Sequence, residues 1–378
     1  MKIKTITCHD VYNLGASLQA YALQKYLQDA GHEVEIIDYK PNYLSGHYKL
    51  WGVYNPKYNK PIIKQLYLLA KLPERVLLLK RKKAFDSFTK QYLCLTQRFK
   101  TNEELKSNPP KADAYIAGSD QIWNTKFMNG RDPAFYLDFA PHNSIKISYA
   151  ASLATNEIPE EYCSFMSKMV HNLDYVSVRE SSSIQLIKAL GRNDVVAVCD
   201  PVFLLSKEEW LHMGKDIGLE SEKYILIYDF DKSPIIDQVA KAIAFDKGFS
   251  IYNVGPFKKK YAKKNYTYTG PIDFISLVRD ASYIISNSFH ATAFAIIFNK
   301  NFCVVKRTEA LNERLVSLLG DLQLDERITS DFHSGLLDDI SYEPINIKLN
   351  KVIDFSKRFL SNVLNHNCQQ TSKDNQLL

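Results

Sequence analysis

Apolar and polar residues alternate along the chain with two different periods. Residues 4–8 and 33–39 are short runs rich in β-branched and aromatic side chains, which is typical of buried strands. Between them, residues 15–31 carry apolar side chains at spacings of three and four, which indicates a helix with one buried face, and Gly31 marks its end. This order predicts a strand–helix–strand unit. Because such crossovers are right-handed, the two strands are expected to be parallel.

The same unit recurs along the chain, so further strands can be predicted from the apolar runs. The predicted strands are residues 112–118, 145–151, 173–179, 194–200, 224–230, 250–255, 281–287 and 301–306. Near residues 45–110 the pattern turns helical and basic, which we interpret as an insertion. After Pro201 the strand–helix pattern begins again, and two similar halves with a cleft between them are therefore expected.

The predicted fold class is α/β, with two Rossmann-like domains facing a cleft. The N-terminal domain is expected to span residues 1–203 and the C-terminal domain residues 204–350. Residues 351–365 have the apolar spacing of a terminal helix, and residues 366–378 are a polar tail that we expect to be disordered. A chain of 378 residues has the length expected for two domains.

The composition is that of a globular protein, with 46% hydrophobic and 24% charged residues. No apolar run reaches the length of a membrane-spanning helix, and the N-terminal residues lack the apolar core of a signal peptide. The six cysteines are scattered without a CxxC pair, which favours reduced thiols in the cytoplasm. No HExxH or P-loop spacing occurs either, so we expect neither a metal site nor a cofactor.

The net charge of +6 is unevenly distributed, with a short basic cluster at residues 258–264 and a longer one before it. Between Lys57 and Lys100 the chain has twelve basic residues and two acidic ones, interleaved with apolar residues. The pattern fits two interpretations: a solvated helix face, or a surface that meets anionic lipid or a lipid-linked acceptor at the inner face of the membrane. Nucleic acid is disfavoured as a partner, because no recognised nucleic-acid-binding motif accompanies the charge.

Ligands of open α/β sheets bind beyond the carboxyl ends of the parallel strands, so the residues that follow each predicted strand are the candidates for a site. Asn13 and Gly15 follow the first strand and open a helix, whose N-terminal N–H groups attract anions. A simple strand-to-helix turn explains the same residues equally well. The segment lacks the GxGxxG spacing of a dinucleotide site.

A polar and aromatic loop follows the predicted strand 112–118. Its candidate sugar-binding residues are Gly118, Ser119, Asp120, Trp123 and Asn124. An indole face and short polar side chains match the two kinds of surface on a sugar ring. The alternative is a turn made by Asp120, with Trp123 packed in the core.

An arginine and a histidine stand at the ends of two other strands. Arg179 can bind a carboxylate or phosphate through two parallel hydrogen bonds, unless it pairs with Glu180 or bridges to the other domain. In residues 286–290, capping residues precede His290 and place it in the first turn of a helix. That end is electropositive and favours the neutral imidazole, unless an anion lies beside the ring.

Together these motifs resemble the polysaccharide pyruvyl transferase family. The matching segments are residues 13–39, 118–124, 148–154, 176–181, 200–205 and 286–302. The resemblance implies a GT-B-like fold and transfer of pyruvate from phosphoenolpyruvate to two hydroxyls of a sugar, as a ketal, in exopolysaccharide or capsular polysaccharide biosynthesis. It also implies functional roles for His290 and Arg179, and we expect His290 to act as the general acid and base.

The chain departs from the family at one position of this site. Many members place an arginine two residues before the histidine, where this chain has Ser288. The expected donor-binding residues are Asn13, Gly15, Asn287, Ser288, Lys306 and Arg307. Arg314 is a further candidate for supplying the missing positive charge.

Two other functions are compatible with the sequence. A GT-B glycosyltransferase that uses a nucleotide sugar would have the same fold, with Glu309 or Glu313 as a candidate ribose ligand. A non-catalytic polysaccharide-assembly protein would bind a lipid-linked intermediate through the basic segment 57–100. The presence of Arg179 and His290 argues against this second alternative.

Overall fold

Two parallel β-sheets flanked by helices make up the protein. The computed structural model describes residues 1–44, 60–255, 257–307 and 312–374. Every strand pairing within both sheets is parallel. The predicted α/β class with two domains is therefore confirmed.

The first sheet has seven strands in the order β3-β2-β1-β4-β5-β6-β7. Its strands are β1 (Lys2–Ile6), β2 (Glu33–Tyr39), β3 (Leu95–Phe99), β4 (Ala114–Ala117), β5 (Ile145–Ala151), β6 (Tyr175–Val178) and β7 (Val196–Ala197). The strand order reverses between β1 and β4. A crevice opens at such a reversal, beyond the carboxyl ends of the strands, and the loops after β1 and β4 border it.

The second sheet has six strands in the order β10-β9-β8-β11-β12-β13. Its strands are β8 (Tyr224–Tyr228), β9 (Ser250–Val254), β10 (Lys264–Tyr266), β11 (Tyr283–Ser286), β12 (Asn301–Val305) and β13 (Ile328–Thr329). Here the order reverses between β8 and β11, so the segment that carries His290 follows a strand at the switch point.

Helices connect successive strands and pack the two domains together. They are α1 (Leu14–Asp29), α2 (Pro61–Tyr92), α3 (Asn102–Ser107), α4 (Glu160–His171), α5 (Ser183–Ala189), α6 (Lys207–Met213), α7 (Pro234–Lys247), α8 (Pro271–Asp280), α9 (Phe289–Ile297), α10 (Glu313–Asp321) and α11 (Tyr342–Asp374). Helix α1 of the first domain contacts α8 and α9 of the second, which brings the N-terminal ends of α1 and α9 together. No helix in the described ranges has the length and hydropathy needed to cross a bilayer.

The insertion expected near residues 45–110 is shorter than predicted. Residues 45–59 lie outside the described ranges, α2 follows them, and Leu95–Phe99 then pair with β2 as the edge strand β3. Phe99 is the one fully buried side chain of this strand, while Gln97 and Arg98 are exposed. An edge strand with so little apolar surface does not show the pattern of a buried strand.

The C-terminal helix is longer at both ends than residues 351–365. It begins at Tyr342 and ends at Asp374, and residues 375–378 lie outside the described ranges. That residues 366–378 are a disordered tail stays a prediction. The early start is explained by Ile345 and Leu349, which are buried on the face that joins the core. Further along, Ser356 Oγ accepts a hydrogen bond from Cys199 N at 2.9 Å and ties the helix to the first domain.

Candidate functional site

His290 lies at the N-terminal end of α9, where the two domains meet. Ser288 caps this helix by accepting a hydrogen bond from Ala291 N at 3.5 Å, so the predicted capping role is confirmed. The imidazole ring packs directly on Gly15 of α1. A Cβ atom added at Gly15 would lie 2.0 Å from His290 Nδ1, so only glycine fits at this contact. The glycine after β1 therefore makes room for the histidine of the other domain.

A buried carboxylate that the sequence analysis did not single out, Asp200, faces this histidine. Asp200 Oδ2 accepts a hydrogen bond from Arg179 Nη1 at 2.6 Å and lies 3.6 Å from His290 Nε2. Burial alone would raise the pKa of Asp200, but His290 and Arg179 more than offset it and hold the pKa well below the usual range. Asp200 is therefore ionised at neutral pH. Its position at the end of the predicted strand 194–200, before a proline, was the available sequence signal.

Arg179 both pairs with Glu180 and contacts the other domain, which are the two structural alternatives to anion binding that the sequence left open. Its Nε donates to Glu180 Oε1 at 3.2 Å, and its guanidinium carbon lies 4.3 Å from the centre of the Phe289 ring in the other domain. Its Nη2 has no hydrogen-bond partner in the described ranges and lies 3.9 Å from Asp120 Oδ1. Burial lowers the pKa of Arg179, but Glu180 and Asp200 raise it further than burial lowers it, so the side chain stays charged.

A second buried arginine, Arg314 of α10, reaches the same place from the second domain. Arg314 Nη1 lies 3.7 Å from Asp120 Oδ1. Gln121, with its amide oxygen turned towards Arg314, accepts a hydrogen bond from Arg314 Nη2 at 2.6 Å. Arg314 Nε has no hydrogen-bond partner in the described part of the chain. Burial, and next the charge of Arg179, lower the pKa of Arg314 to about 10, so the guanidinium remains charged at neutral pH.

A cavity of about 90 Å³ lies between the domains at this point. It is bordered by Asn13, Asp120 and Gln121 of the first domain and by His290, Arg307 and Arg314 of the second. Arg307 is paired with Asp231 through Nε and Nη2, both at 2.8 Å. The cavity walls thus carry His290 and two arginines, Arg307 and Arg314, beside one carboxylate, that of Asp120, and Arg179 lies outside the lining. The excess of positive groups suits a small anion.

The predicted donor-binding residues Asn13, Asn287 and Ser288 border the cavity, and they also have structural partners within the protein. Asn13 Oδ1 accepts hydrogen bonds from the backbone N–H groups of Gly15 and Ala16, so it occupies two of the N–H groups expected to attract an anion. Asn287 Nδ2 donates to Asp229 Oδ1 at 2.9 Å and joins the ends of β11 and β8. Lys306 is exposed and does not border the cavity.

The loop expected to bind the sugar is largely buried. Trp123 is fully buried, stacks on Tyr136 with ring centres 5.2 Å apart, and donates from Nε1 to Phe135 O at 3.0 Å. The prediction that Trp123 offers its indole face to a sugar is therefore wrong, and the alternative, a tryptophan packed in the core, is confirmed.

The other members of that loop are held by contacts within the first domain. Ser119 and Asn124 are fully buried, and Ser119 Oγ donates to Ala150 O at 2.6 Å. Gly118 has φ +136°, and a Cβ there would lie 1.9 Å from Tyr149 O, so glycine is required. Of the five predicted acceptor residues, Asp120 alone borders the cavity. The direct acceptor roles predicted for Gly118, Ser119 and Asn124 are not compatible with this burial.

No group of three or more His, Cys, Asp or Glu side chains in the described ranges is arranged to hold a metal ion. Of the two glutamates named as ribose ligands, Glu309 lies outside these ranges and Glu313 begins α10.

Comparison with protein families gives one match. The family model described as Polysaccharide pyruvyl transferase matches residues 13–308 of the chain. No curated protein sequence matches it.

Solved structures share the whole architecture at low sequence identity. A candidate UDP-N-acetylglucosamine 2-epimerase from Listeria monocytogenes has a TM-score of 0.53 at 10% identity and covers 97% of this chain and 96% of its own. The UDP-N-acetylglucosamine 2-epimerase of Rickettsia bellii has a TM-score of 0.50 at 13% identity, covering 96% of each chain. That of Methanocaldococcus jannaschii, solved with UDP-GlcNAc and UDP, has a TM-score of 0.50 at 14% identity, covering 96% of this chain and 100% of its own. At these identities the similarity shows the fold alone, and the predicted GT-B-like arrangement is confirmed.

Proposed function

Because the chain belongs to the polysaccharide pyruvyl transferase family, a transferase family of polysaccharide biosynthesis, we propose that it transfers pyruvate from phosphoenolpyruvate to two hydroxyls of a sugar. The product is a ketal on a unit of an exopolysaccharide or capsular polysaccharide. No cofactor is needed besides the donor itself.

The observation that carries this proposal is a group of buried donors without partners beside the histidine. Arg179 Nη2, Arg314 Nε and His290 Nε2 have no hydrogen-bond partner in the described ranges. Unpaired buried donors cost free energy, of about 1–3 kcal/mol each, unless a ligand supplies acceptors. Phosphoenolpyruvate carries a phosphate and a carboxylate, so it offers oxygens of the charge and number that two guanidinium groups require.

Arg314 takes the place of the arginine that many family members carry two residues before the histidine. Ser288 occupies that position and caps α9. Arg314 and Arg179 lie over the same Phe289 ring, at 5.9 Å and 4.3 Å from its centre. We therefore assign Arg314 to the donor anion and give Lys306, which is exposed, no part in binding it.

In the proposed reaction, His290 gives its proton to the methylene carbon of phosphoenolpyruvate, which becomes the methyl group. The adjacent carbon becomes cationic, the first sugar hydroxyl adds to it, and the hydroxyl proton returns to His290. The carbon–oxygen bond to phosphate then breaks, and the second hydroxyl closes the ketal while its proton leaves with the phosphate. Asp200, 3.6 Å from Nε2, stabilises the protonated imidazole between these steps.

The acceptor that we propose is a lipid-linked sugar, met in the cytoplasm at the inner face of the membrane. The basic residues between Lys57 and Lys100 support this part of the proposal, since anionic lipid headgroups attract such a segment. Nucleic acid is not a proposed partner.

The test is phosphate release from phosphoenolpyruvate with a panel of galactosides, glucosides and N-acetylhexosamine glycosides. We expect release that requires an acceptor and that falls by about 10²–10⁴-fold in His290→Ala. His171→Ala, which alters an exposed histidine, is the matched control and should keep wild-type turnover. Arg314→Met should also abolish the increase in melting temperature that phosphoenolpyruvate causes.

Near wild-type turnover of His290→Ala would remove the histidine from the mechanism. A melting temperature that rises with nucleotide sugars but not with phosphoenolpyruvate would favour the glycosyltransferase instead.

A further inference from the structure

The first half of α2 stands away from the hydrophobic core. Between residues 62 and 80, no described side chain is buried, whereas Arg81, Phe85 and Phe88 in the second half are. At 1.5 Å per residue, the outer half is an arm about 27 Å long. We call residues 62–80 the α2 arm.

One face of the α2 arm is apolar and exposed to solvent. Ile62 is 74% exposed, Leu66 63%, Leu69 68% and Val76 49%. The first three are spaced four and three apart, and Val76 follows after seven more residues, so the four side chains form one stripe along the helix. Exposed apolar stripes of this kind mark a surface that binds something.

The charges around the stripe are almost all positive. From Lys60 to Lys83 the sequence has eight basic residues and one acidic residue, Glu74. At 100° per residue, Lys64 and Lys71 fall on the side of the helix opposite the stripe. An apolar face backed by lysines is the pattern of a helix that lies in the headgroup region of an anionic bilayer.

The base of the arm is fixed beside the cleft. Arg81 Nη2 donates to Tyr12 O at 3.2 Å, and Tyr12 immediately precedes Asn13, which borders the cavity and caps α1. Further along α2, Ala84 packs against Gly270, where an added Cβ would lie 2.9 Å from the alanine Cβ. A surface that holds the arm therefore also holds the mouth of the cleft next to it.

We propose that the α2 arm docks the protein on an anionic lipid surface, with Ile62, Leu66, Leu69 and Val76 entering the headgroup region. The consequence for catalysis, delivery of a lipid-linked acceptor to the cleft, rests on the proposed function. The docking itself does not. Each lysine or arginine near an anionic surface contributes about 1 kcal/mol to binding, so several of them with four apolar side chains suffice for reversible association.

A second copy of the chain is the rival occupant of the stripe, and the sequence disfavours it. Paired helices carry charges of both signs beside the seam, which form salt bridges between the chains. Here each arm would bring a strongly positive charge to its copy.

The experiment is co-sedimentation of the full chain with two kinds of vesicle. One is phosphatidylcholine alone, and the other is phosphatidylcholine with about 30% phosphatidylglycerol, which supplies the anionic headgroups. We expect binding to the anionic vesicles only, and at least a tenfold loss of it in Leu66→Glu/Leu69→Glu and at high salt. Lys80→Gln/Lys83→Gln, which alters two exposed lysines, should give a smaller loss. Phe245→Glu is the matched control, because Phe245 is 93% exposed on α7, and its binding should equal that of the wild type.

Each outcome bears on one proposal. Equal binding by wild type and Leu66→Glu/Leu69→Glu, or no binding by the wild type, overturns the docking. A wild-type dimer that becomes a monomer in Leu66→Glu/Leu69→Glu, without vesicle binding, assigns the stripe to a second copy. Phosphate release with a soluble acceptor should be the same in wild type and Leu66→Glu/Leu69→Glu. If neither releases phosphate while docking behaves as expected, the proposed function fails and the docking stands.

Discussion

Near the carboxyl end of each sheet, a buried carboxylate is paired with a buried cation: Asp200 with Arg179 in the first domain, and Asp229 with Lys259 in the second. The two clusters differ in which of their polar atoms lack a hydrogen-bond partner. Asp229 follows β8, and its oxygens accept four hydrogen bonds, from Asp231 N (2.9 Å), Ser233 N (2.9 Å), Asn287 Nδ2 (2.9 Å) and Lys259 Nζ (2.7 Å). Lys259 is also paired with Asp237, whose Oδ1 accepts from Tyr261. In this second-domain cluster, both oxygens of Asp229 and the Lys259 ammonium therefore have partners within the protein.

The first-domain cluster is built on the same plan but is incomplete. Asp200 lies after β7 and accepts from Val202 N at 3.1 Å and from Arg179 Nη1 at 2.6 Å. Unlike Lys259, Arg179 keeps one nitrogen without a partner, and His290 Nε2 faces the same carboxylate at a distance too long for a hydrogen bond.

This difference separates a structural cluster from a binding site. A matched buried pair fixes the loops around it, and breaking it costs stability. Buried donors without partners do not stabilise the empty protein, and under the proposed function a ligand supplies their acceptors. We infer that the second-domain cluster holds the end of β8 in place, while the first-domain cluster binds substrate.

The largest effect expected from this comparison is a loss of stability in Lys259→Met. The substitution leaves Asp229 buried without its cation, and the half-buried Asp237 loses the same partner, which together cost about 3–5 kcal/mol. Urea unfolding should show the loss of stability. Phosphoenolpyruvate should still raise the melting temperature of the Lys259→Met protein. Lys247→Met, at the exposed end of α7, is the control and should be neutral. A stable Lys259→Met protein that no longer responds to phosphoenolpyruvate would instead place Lys259 in the binding site.

The strands of both sheets could be predicted where they are buried on both faces. Residues 224–230 and 281–287 are continuous apolar runs, which is what parallel strands covered by helices require. The strands that were missed are β3, β10 and β13, at the edges of the sheets. Their side chains are partly exposed, and β13 is two residues long, so periodicity carries little information there.

The sequence predicted those site residues that directly follow a strand. Arg179 and His290 follow β6 and β11 closely, and both lie at the cleft as the sequence indicated. Trp123 follows a strand as well, but whether a loop side chain faces the cleft or the core depends on its neighbours, here Tyr136. Arg314 was named as a candidate for the missing positive charge, but that it reaches the site depends on α10 packing across the domain boundary, which no local pattern reports.

Gly15→Ala sharpens the comparison, because it disturbs the incomplete cluster without removing any charge. The new Cβ would lie 2.0 Å from His290 Nδ1, so the ring or α1 must move. We expect turnover to fall by about 10–100-fold, since a displacement of about 1 Å at a reacting group has an effect of that size. Unfolding should become easier by about 1–3 kcal/mol through overpacking.

The matched control for Gly15→Ala is Gly320→Ala in α10, where an added Cβ finds its nearest neighbour, Asp325 Oδ1, at 3.6 Å. It should be neutral or slightly stabilising. Wild-type turnover in Gly15→Ala would mean that the histidine does not need its position against α1.

The smallest expected effect is a change in the pH dependence of stability in Asp200→Asn. The pKa of Asp200 is lower in the folded protein than the value of about 3.9 in an unfolded chain. Its stabilising contribution is therefore complete above about pH 4 and is lost as the pH falls through the folded-state pKa, because the unfolded state binds the extra proton first. In Asp200→Asn the slope of the unfolding free energy against pH should fall by up to about 1.4 kcal/mol per pH unit below pH 4.

Urea unfolding between pH 3 and pH 6 measures this slope, with Glu208→Gln, at an exposed carboxylate, as control. An unchanged slope would mean that Asp200 is not held ionised by Arg179 and His290, and the contrast between the two clusters would then rest on geometry alone.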